Sequence, residues 1–334
     1  MDIKSTINLE DFLARDIRNK PFEQRSAKNF KLLFETSKIY RFVSFLGAGN
    51  SKPLGIKGWI ELISELKRIA GDSFKPEVED EKDLPILAEK LYNSFESQGK
   101  GDKFNETVFQ NMEPQCNSTT LTLIKLALLI RIHFTTNFDL SMYNACRFLN
   151  YMKIYHGKLS LEIGDHSIPD LPSYSQIAKE QDSQIIYLHG KKGGKYIFRL
   201  RDYDNFYPSK ENNGSYSKCI EDCLKTFLQK TSFLFVGFSF QDTRLKEMLF
   251  RVIADVRRDY LINLQFLNGS SPVATEKLPK HFLIAQNSQD IYGGKSYEEF
   301  FNEFETNDIY PVIYTENQHI FLEHLFEEMI EKVQ

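Results

Sequence analysis

The chain has 334 residues, 41% hydrophobic, 13% aromatic and 26% charged, with a formal net charge of −4. That balance excludes a disordered chain and fits an ordinary globular protein. Lys and Arg are spread along the sequence and slightly outnumbered by acids, which argues against direct nucleic-acid binding.

The opening residues MDIKSTINLEDFLARD lack an apolar core of signal-peptide length. The most apolar stretch, 121–130, is interrupted by Lys125 and is too short for a bilayer. It reads as a buried helix, and the chain is expected in the cytoplasm with no membrane contact. Cys116, Cys146, Cys219 and Cys223 form no CxxC pair. Free thiols in a reducing compartment are expected.

In chain order, residues 1–40 read as an amphipathic helical segment, clearest in SAKNFKLLFETSKI. Residues 41–46 read as a strand that stops at Gly47-Ala48-Gly49. The spacing of Trp59, Leu62, Ile63, Leu66 and Ile69 predicts a helix over 59–70. Residues of about 72–130, first acidic and then helical by pattern, read as a module inserted into a domain that spans 41–334. A second strand is expected at 131–135, followed by a loop-rich stretch with Gly164, Pro169 and Pro172. Further strands are expected at 184–188, 196–200 and 232–236, with a helix from about Asp242. The late candidates are strands at 281–285 and 309–314 and a closing helix at 321–333. The fold class is therefore α/β: a Rossmann-like, mainly parallel sheet with helices on both faces and an inserted helical module. In such sheets ligands bind at the carboxyl ends of the strands.

Four strand ends carry residues suited to chemistry. After the first, Gly47, Ala48 and Gly49 let backbone amides approach a pyrophosphate, and Ser51 can add a hydroxyl donor. The bland reading is a tight strand-to-helix turn. After the second come Thr135-Thr136-Asn137-Phe138-Asp139. Asn137 can hold a ribose hydroxyl or a water through its donor and acceptor, whereas Asp139 also suits a helix cap. After the third, His189-Gly190 can face a cleft and exchange a proton near neutral pH. A core histidine bonded to backbone is the competing reading, and it is the one expected for His133. After the fourth, Gly237-Phe238-Ser239-Phe240-Gln241-Asp242 offers a second glycine-serine junction for the other half of a dinucleotide, with Asp242 as an N-cap.

The order GAGNS, TTNFD, LHG, RDY and GFSFQD resembles the sirtuin-like NAD-binding domains. It is more closely similar to the bacterial sirtuin-like effectors of anti-phage defence, which hydrolyse NAD. The resemblance covers residues 42 to about 314 in islands. It implies that Ala48, Gly49 and Ser51 lie against the pyrophosphate and nearby ribose, and that Asn137 orders the nicotinamide ribose and the attacking water. It further implies that Asp139 shapes the site, that His189 touches the ribose hydroxyls and acts as base, and that Gly237 and Ser239 form the adenosine-side turn. Asp202 and Tyr203 match a pair expected to be structural. Sirtuin deacylases carry a zinc ribbon of two CxxC pairs. This chain has only Cys219 and Cys223 at i, i+4 spacing, so no zinc site is expected and acyl-lysine recognition is in doubt.

The resemblance thus implies an NAD hydrolase that releases nicotinamide and ADP-ribose, with NAD as substrate. Alternatives are a deacylase or ADP-ribosyltransferase, and a non-catalytic module that binds NAD or ADP-ribose. A free NAD hydrolase would kill its own cell, so gating is expected from a homo-oligomer and a partner protein such as a HerA-like ATPase or a short Argonaute.

Overall fold

A computed structural model describes residues 20–71, 74, 83–111, 119–155, 163–167, 171, 183–191, 196–207, 217–268, 278–287, 292–314 and 318–333. The expected helical character of residues 1–19 lies outside the described residues.

Helix α1 (Lys20–Ser37) precedes β1 (Phe42–Leu46), and two short 3-10 turns (Ala48–Asn50 and Lys52–Leu54) lead to α2 (Trp59–Ala70). Next come α3 (Leu84–Ser97), α4 (Gly101–Asn111), α5 (Leu121–Leu129), β2 (Ile132–Thr135) and α6 (Ser141–Tyr155). The middle of the chain supplies β3 (Ile163–Ser167), β4 (Ser183–Tyr187), α7 (Leu200–Phe206) and α8 (Ser217–Leu228). The last part is β5 (Ser232–Val236), α9 (Thr243–Asn268), β6 (His281–Gln286), α10 (Tyr297–Thr306), β7 (Ile309–Tyr314) and α11 (Gln318–Val333).

The seven strands form one sheet in the order β3-β4-β2-β1-β5-β6-β7, and every pairing is parallel. The sheet is thus the expected Rossmann-like one. Strand order reverses between β1 and β5, which opens a crevice at their carboxyl ends. The apolar strands alternate between faces as a period of two requires. Phe233 and Phe235 of β5 join one core with α8, α9 and α10. Leu234 and Val236 join the other with α1, α5, α6 and α11. The aromatic excess collects in the first of these, where Phe45 packs against Phe134, Phe233, Phe235 and Phe238. His133 is fully buried on the opposite face, its Nδ1 2.7 Å from Ser44 Oγ on the neighbouring strand.

Three details differ from the sequence reading. Helix α5 belongs to the sheet's second core beside α6 and α11, so only α3 and α4 form a module apart. These two pack with α2 around Phe95, Phe104 and Phe198 in a third core. The segment expected as a strand at 196–200 makes one antiparallel bridge, Gly190 with Tyr196, before α7 begins. Asp202 draws the chain into that helix by accepting the Arg199 amide at 2.9 Å. Strand β3 falls in the stretch expected as loop: IGDHS is too polar to read as a strand, and it sits at the sheet edge against β4 alone.

Candidate active site

The sheet register builds the site. Tyr187, Thr135, Leu46, Val236, Ile284 and Val312 pair side by side across six strands. Two residues beyond that row stand His189, Asn137, Ala48, Phe238, Gln286 and Tyr314, and all six line a single cleft of about 530 Å³. That size suits a cofactor-like ligand. Thr136, Asp139, Gly49, Gly237, Ser239 and Asp242 also border it, whereas Gly47 and Ser51 do not.

The two glycine turns fit into each other at the switch point. The Gly47 amide donates to Val236 O at 3.1 Å, and the Gly49 amide donates to Gly237 O at 3.0 Å. A methyl on Gly47 would lie 2.5 Å from Phe238 Cα, and one on Gly49 would lie 2.9 Å from Gly237 O. Gly237 has φ +62°, and a methyl there would lie 2.6 Å from Asn50 Nδ2. The glycines are therefore required first by each other. The amides of Asn50 and Ser51 are also satisfied, by Gly47 O and Ala48 O. Ala48 keeps the turn's amide with no acceptor among the described residues, suited to an anionic oxygen.

Ser51 is fully buried beneath this turn. Its hydroxyl donates to Asp139 Oδ2 at 2.7 Å and accepts from Asn137 Nδ2 at 3.0 Å. Asn137 Nδ2 also donates to Gly47 O at 3.1 Å. A carbonyl only accepts, so this bond fixes which end of the amide is nitrogen. Asn137 Oδ1 is left as an acceptor at the cleft for a hydroxyl or a water. Asp139 also receives the Ser141 amide on Oδ1 at 2.8 Å at the start of α6. One carboxylate at the border of the cleft thus starts α6 and holds Ser51.

Across the cleft, His189 is buried with Nε2 2.6 Å from Tyr207 Oη and 3.6 Å from Asp242 Oδ2. Burial lowers its pKa, and the Asp242 carboxylate partly opposes that shift. Asp242 does cap α9, its Oδ1 accepting the Leu245 amide at 2.9 Å, and its Oδ2 accepts Tyr203 Oη at 2.7 Å. Burial keeps the Tyr203 and Tyr207 phenols far above their ordinary pKa, and both therefore remain O–H groups.

Several site groups carried no signal in the sequence. Trp59, Phe138 and Phe198 wall the cleft, and Trp59 stacks on Tyr203 at 5.8 Å with its rings 11° from parallel. Trp59 Nε1 is buried with no acceptor among the described residues. Ile284, Ala285 and Gln286 of β6 and Tyr314 of β7 extend the cleft on the β5 side. At the mouth, Lys57 is held at two points by Asn111 of α4. Its amide donates to Asn111 Oδ1 at 2.9 Å, and its carbonyl accepts from Asn111 Nδ2 at 3.1 Å. Lys52 pairs with Glu61 at 3.1 Å, and Lys57 Nζ pairs with Glu65.

Among the described residues, no group of three His, Cys, Asp or Glu side chains could hold a metal ion. Cys146 and Cys223 are buried and form no disulfide among the described residues; Cys116 and the Cys219 side chain lie outside the described set. No described helix is long and apolar enough to cross a membrane.

Residues 131–281 match the family described as SIR2-like domain. The NAD(+) hydrolase ThsA of Cytobacillus dafuensis is 26% identical over 216 residues, which cover 62% of this chain and 37% of that protein. The NAD(+) hydrolase ThsA of Bacillus cereus (strain MSX-D12) is 27% identical over 217 residues, covering 64% and 40%. The chain thus spans about two fifths of the length of the curated relatives it matches. A crystal structure of a Sir2 homolog–NAD complex aligns over 91% of this chain and 95% of its own, at a TM-score of 0.39 and 10% identity. The family match runs from β2 into β6, and so takes in the strand ends that carry Asn137 and His189.

Proposed function

We propose that this chain cleaves the nicotinamide–ribose bond of NAD, giving nicotinamide and ADP-ribose. The observation that carries the reading is a pair of polar side chains turned to one cleft. Asn137 Oδ1 and the free nitrogen of His189 face it from the ends of β2 and β4, beside the interlocked turns of the switch point. Loss of nicotinamide leaves an oxocarbenium-like ribose, which must be stabilised and kept from every nucleophile but one. Asn137 holds a ribose hydroxyl or the attacking water, and His189 takes a proton. The aromatic wall of Trp59, Phe138 and Phe198 gives a flat, dry surface for the ring that leaves. The Ala48 amide, Thr136, Gly49, Gly237 and Ser239 receive the phosphates and the adenosine side. Ser51 and Asp139 act from beneath by orienting Asn137. Two relatives named NAD(+) hydrolase support the same reading.

On the resemblance to defence effectors, the proposal extends to an NAD-depleting role against phage in the cytoplasm. The chain would act as a homo-oligomer triggered by a partner such as a HerA-like ATPase or a short Argonaute. The test incubates the purified protein with NAD and separates the products. Nicotinamide and ADP-ribose are expected in equal amounts. Asn137→Ala and His189→Ala each lower the rate by roughly 10²–10⁴-fold with little change in melting temperature. Undiminished cleavage by both variants refutes the assignment.

A further inference from the structure

His189 uses only one ring nitrogen within the protein. Nε2 meets Tyr207 Oη at 2.6 Å and Asp242 Oδ2 at 3.6 Å, while Nδ1 has no partner among the described residues and the ring borders the cleft. Asp242 receives Tyr203 Oη on one oxygen and the Leu245 amide on the other. Both oxygens of Asp242 thus act as acceptors, and a carboxylate only accepts. A lone pair on Nε2 would face this negative charge, whereas an N–H there is attracted to it. Tyr207 stays protonated, and its oxygen has lone pairs able to accept an N–H from Nε2.

The other neighbours of the ring do not compete. Phe138 approaches from the loop after β2, and Tyr203 presents an edge from α7 at 5.7 Å. Arg244 lies beyond, over the Tyr203 ring, and pairs with Asp204 at 2.9 Å. Asp242 is thus the charged group against the imidazole.

We infer that Asp242 and Tyr207 are positioning residues that keep the proton of neutral His189 on Nε2, so that Nδ1 presents its lone pair to the cleft. The inference rests on His189 serving as the base of NAD cleavage. A proton from the attacking water or a ribose hydroxyl then moves to Nδ1, and the bonding pair stays on the oxygen. The imidazolium so formed keeps Nε2 against Tyr207 Oη at 2.6 Å, with the Asp242 carboxylate 3.6 Å away to offset its charge. A carboxylate that selects a histidine tautomer in this way has a known counterpart in the Ser-His-Asp triad.

The test reads the tautomer directly, by long-range ¹H–¹⁵N correlation on the uniformly labelled full chain near pH 7.5. The His189 signals are assigned by their loss in His189→Gln. The wild type is expected to carry its proton on Nε2. Asp242→Asn keeps an N-cap for α9 but offers a donor to Nε2. It is expected to move the proton to Nδ1 and to lower kcat by about 10²-fold or more with KM little changed. Tyr207→Phe is expected to retain the Nε2 proton through Asp242 and to lose less activity. A wild-type proton on Nδ1, or an unchanged tautomer in Asp242→Asn, overturns the inference. If Asp242→Asn does not fold, the wild-type spectrum and Tyr207→Phe still decide it. The spectra need no NAD. An inert chain with its proton on Nε2 counts against the cleavage reading alone, and an active chain with its proton on Nδ1 counts against this inference alone.

Discussion

The cleft has a floor and a wall made by different means. At the ends of β1 and β5 the floor is backbone, with Gly47, Gly49 and Gly237 pressed together so closely that none admits a methyl group. At the ends of β2 and β4 the wall is side chain, with Asn137 and His189 each fixed on one side by partners and open on the other. The floor is constrained by backbone shape, whereas the wall is constrained by which side-chain atoms meet. A glycine at a nucleotide site is commonly credited to the ligand. Here the opposing turn already demands it.

That contrast can be broken most forcefully at Gly237. Gly237→Ala adds a methyl 2.6 Å from Asn50 Nδ2 in a left-handed backbone. It should cost about 3 kcal/mol or more, lowering the melting temperature by roughly 10 °C. A melting temperature close to wild type would mean that the two turns are not interlocked. Ser51→Ala stands at the junction of floor and wall. It strips the buried Asp139 of one donor and Asn137 of one acceptor, at about 2 kcal/mol. NAD cleavage should fall further than that loss of stability explains, because Asn137 loses its orientation. Equal activity at a temperature well below unfolding would separate Ser51 from the site. The smallest effect is on pH. His189 must be neutral to take a proton, and its burial depresses its pKa below the ordinary 6.5. The acid limb of kcat/KM should therefore lie below pH 6.5, with activity lost only as pH falls through the lowered value. A limb at or above 6.5 would show that the wall is wetter than its burial indicates.

The parts of this site that were legible in the sequence are those whose signal is local. β5 and β7 fall on the expected residues, and α2 spans its expected 59–70, because each is a run bounded by glycine, polar residues or a cap. Asp242 was legible as an N-cap for the same reason. Its second role was not, because it depends on how the chain after β4 meets the chain after β5, 53 positions apart by number (242 − 189). Tyr203 and Tyr207, at i, i+4, look like any core stripe on a helix, and only their oxygens' contacts distinguish them. Ser51 illustrates the opposite limit. A serine after GAG fits a phosphate contact by type, yet the turn rotates it downward and its hydroxyl is taken by Asp139. Strand β3 escaped notice because an edge strand paired on one side needs little apolar character.

The two-point attachment of Lys57 to Asn111 has a consequence for how the entrance works. Both backbone polar groups of one rim residue are tied to a single side chain at the far end of α4. This part of the doorway is therefore fastened to a helix of the third core. That core also holds α2 and Phe198, with Trp59 packed against it, so the doorway and the aromatic wall are fastened to one packed unit.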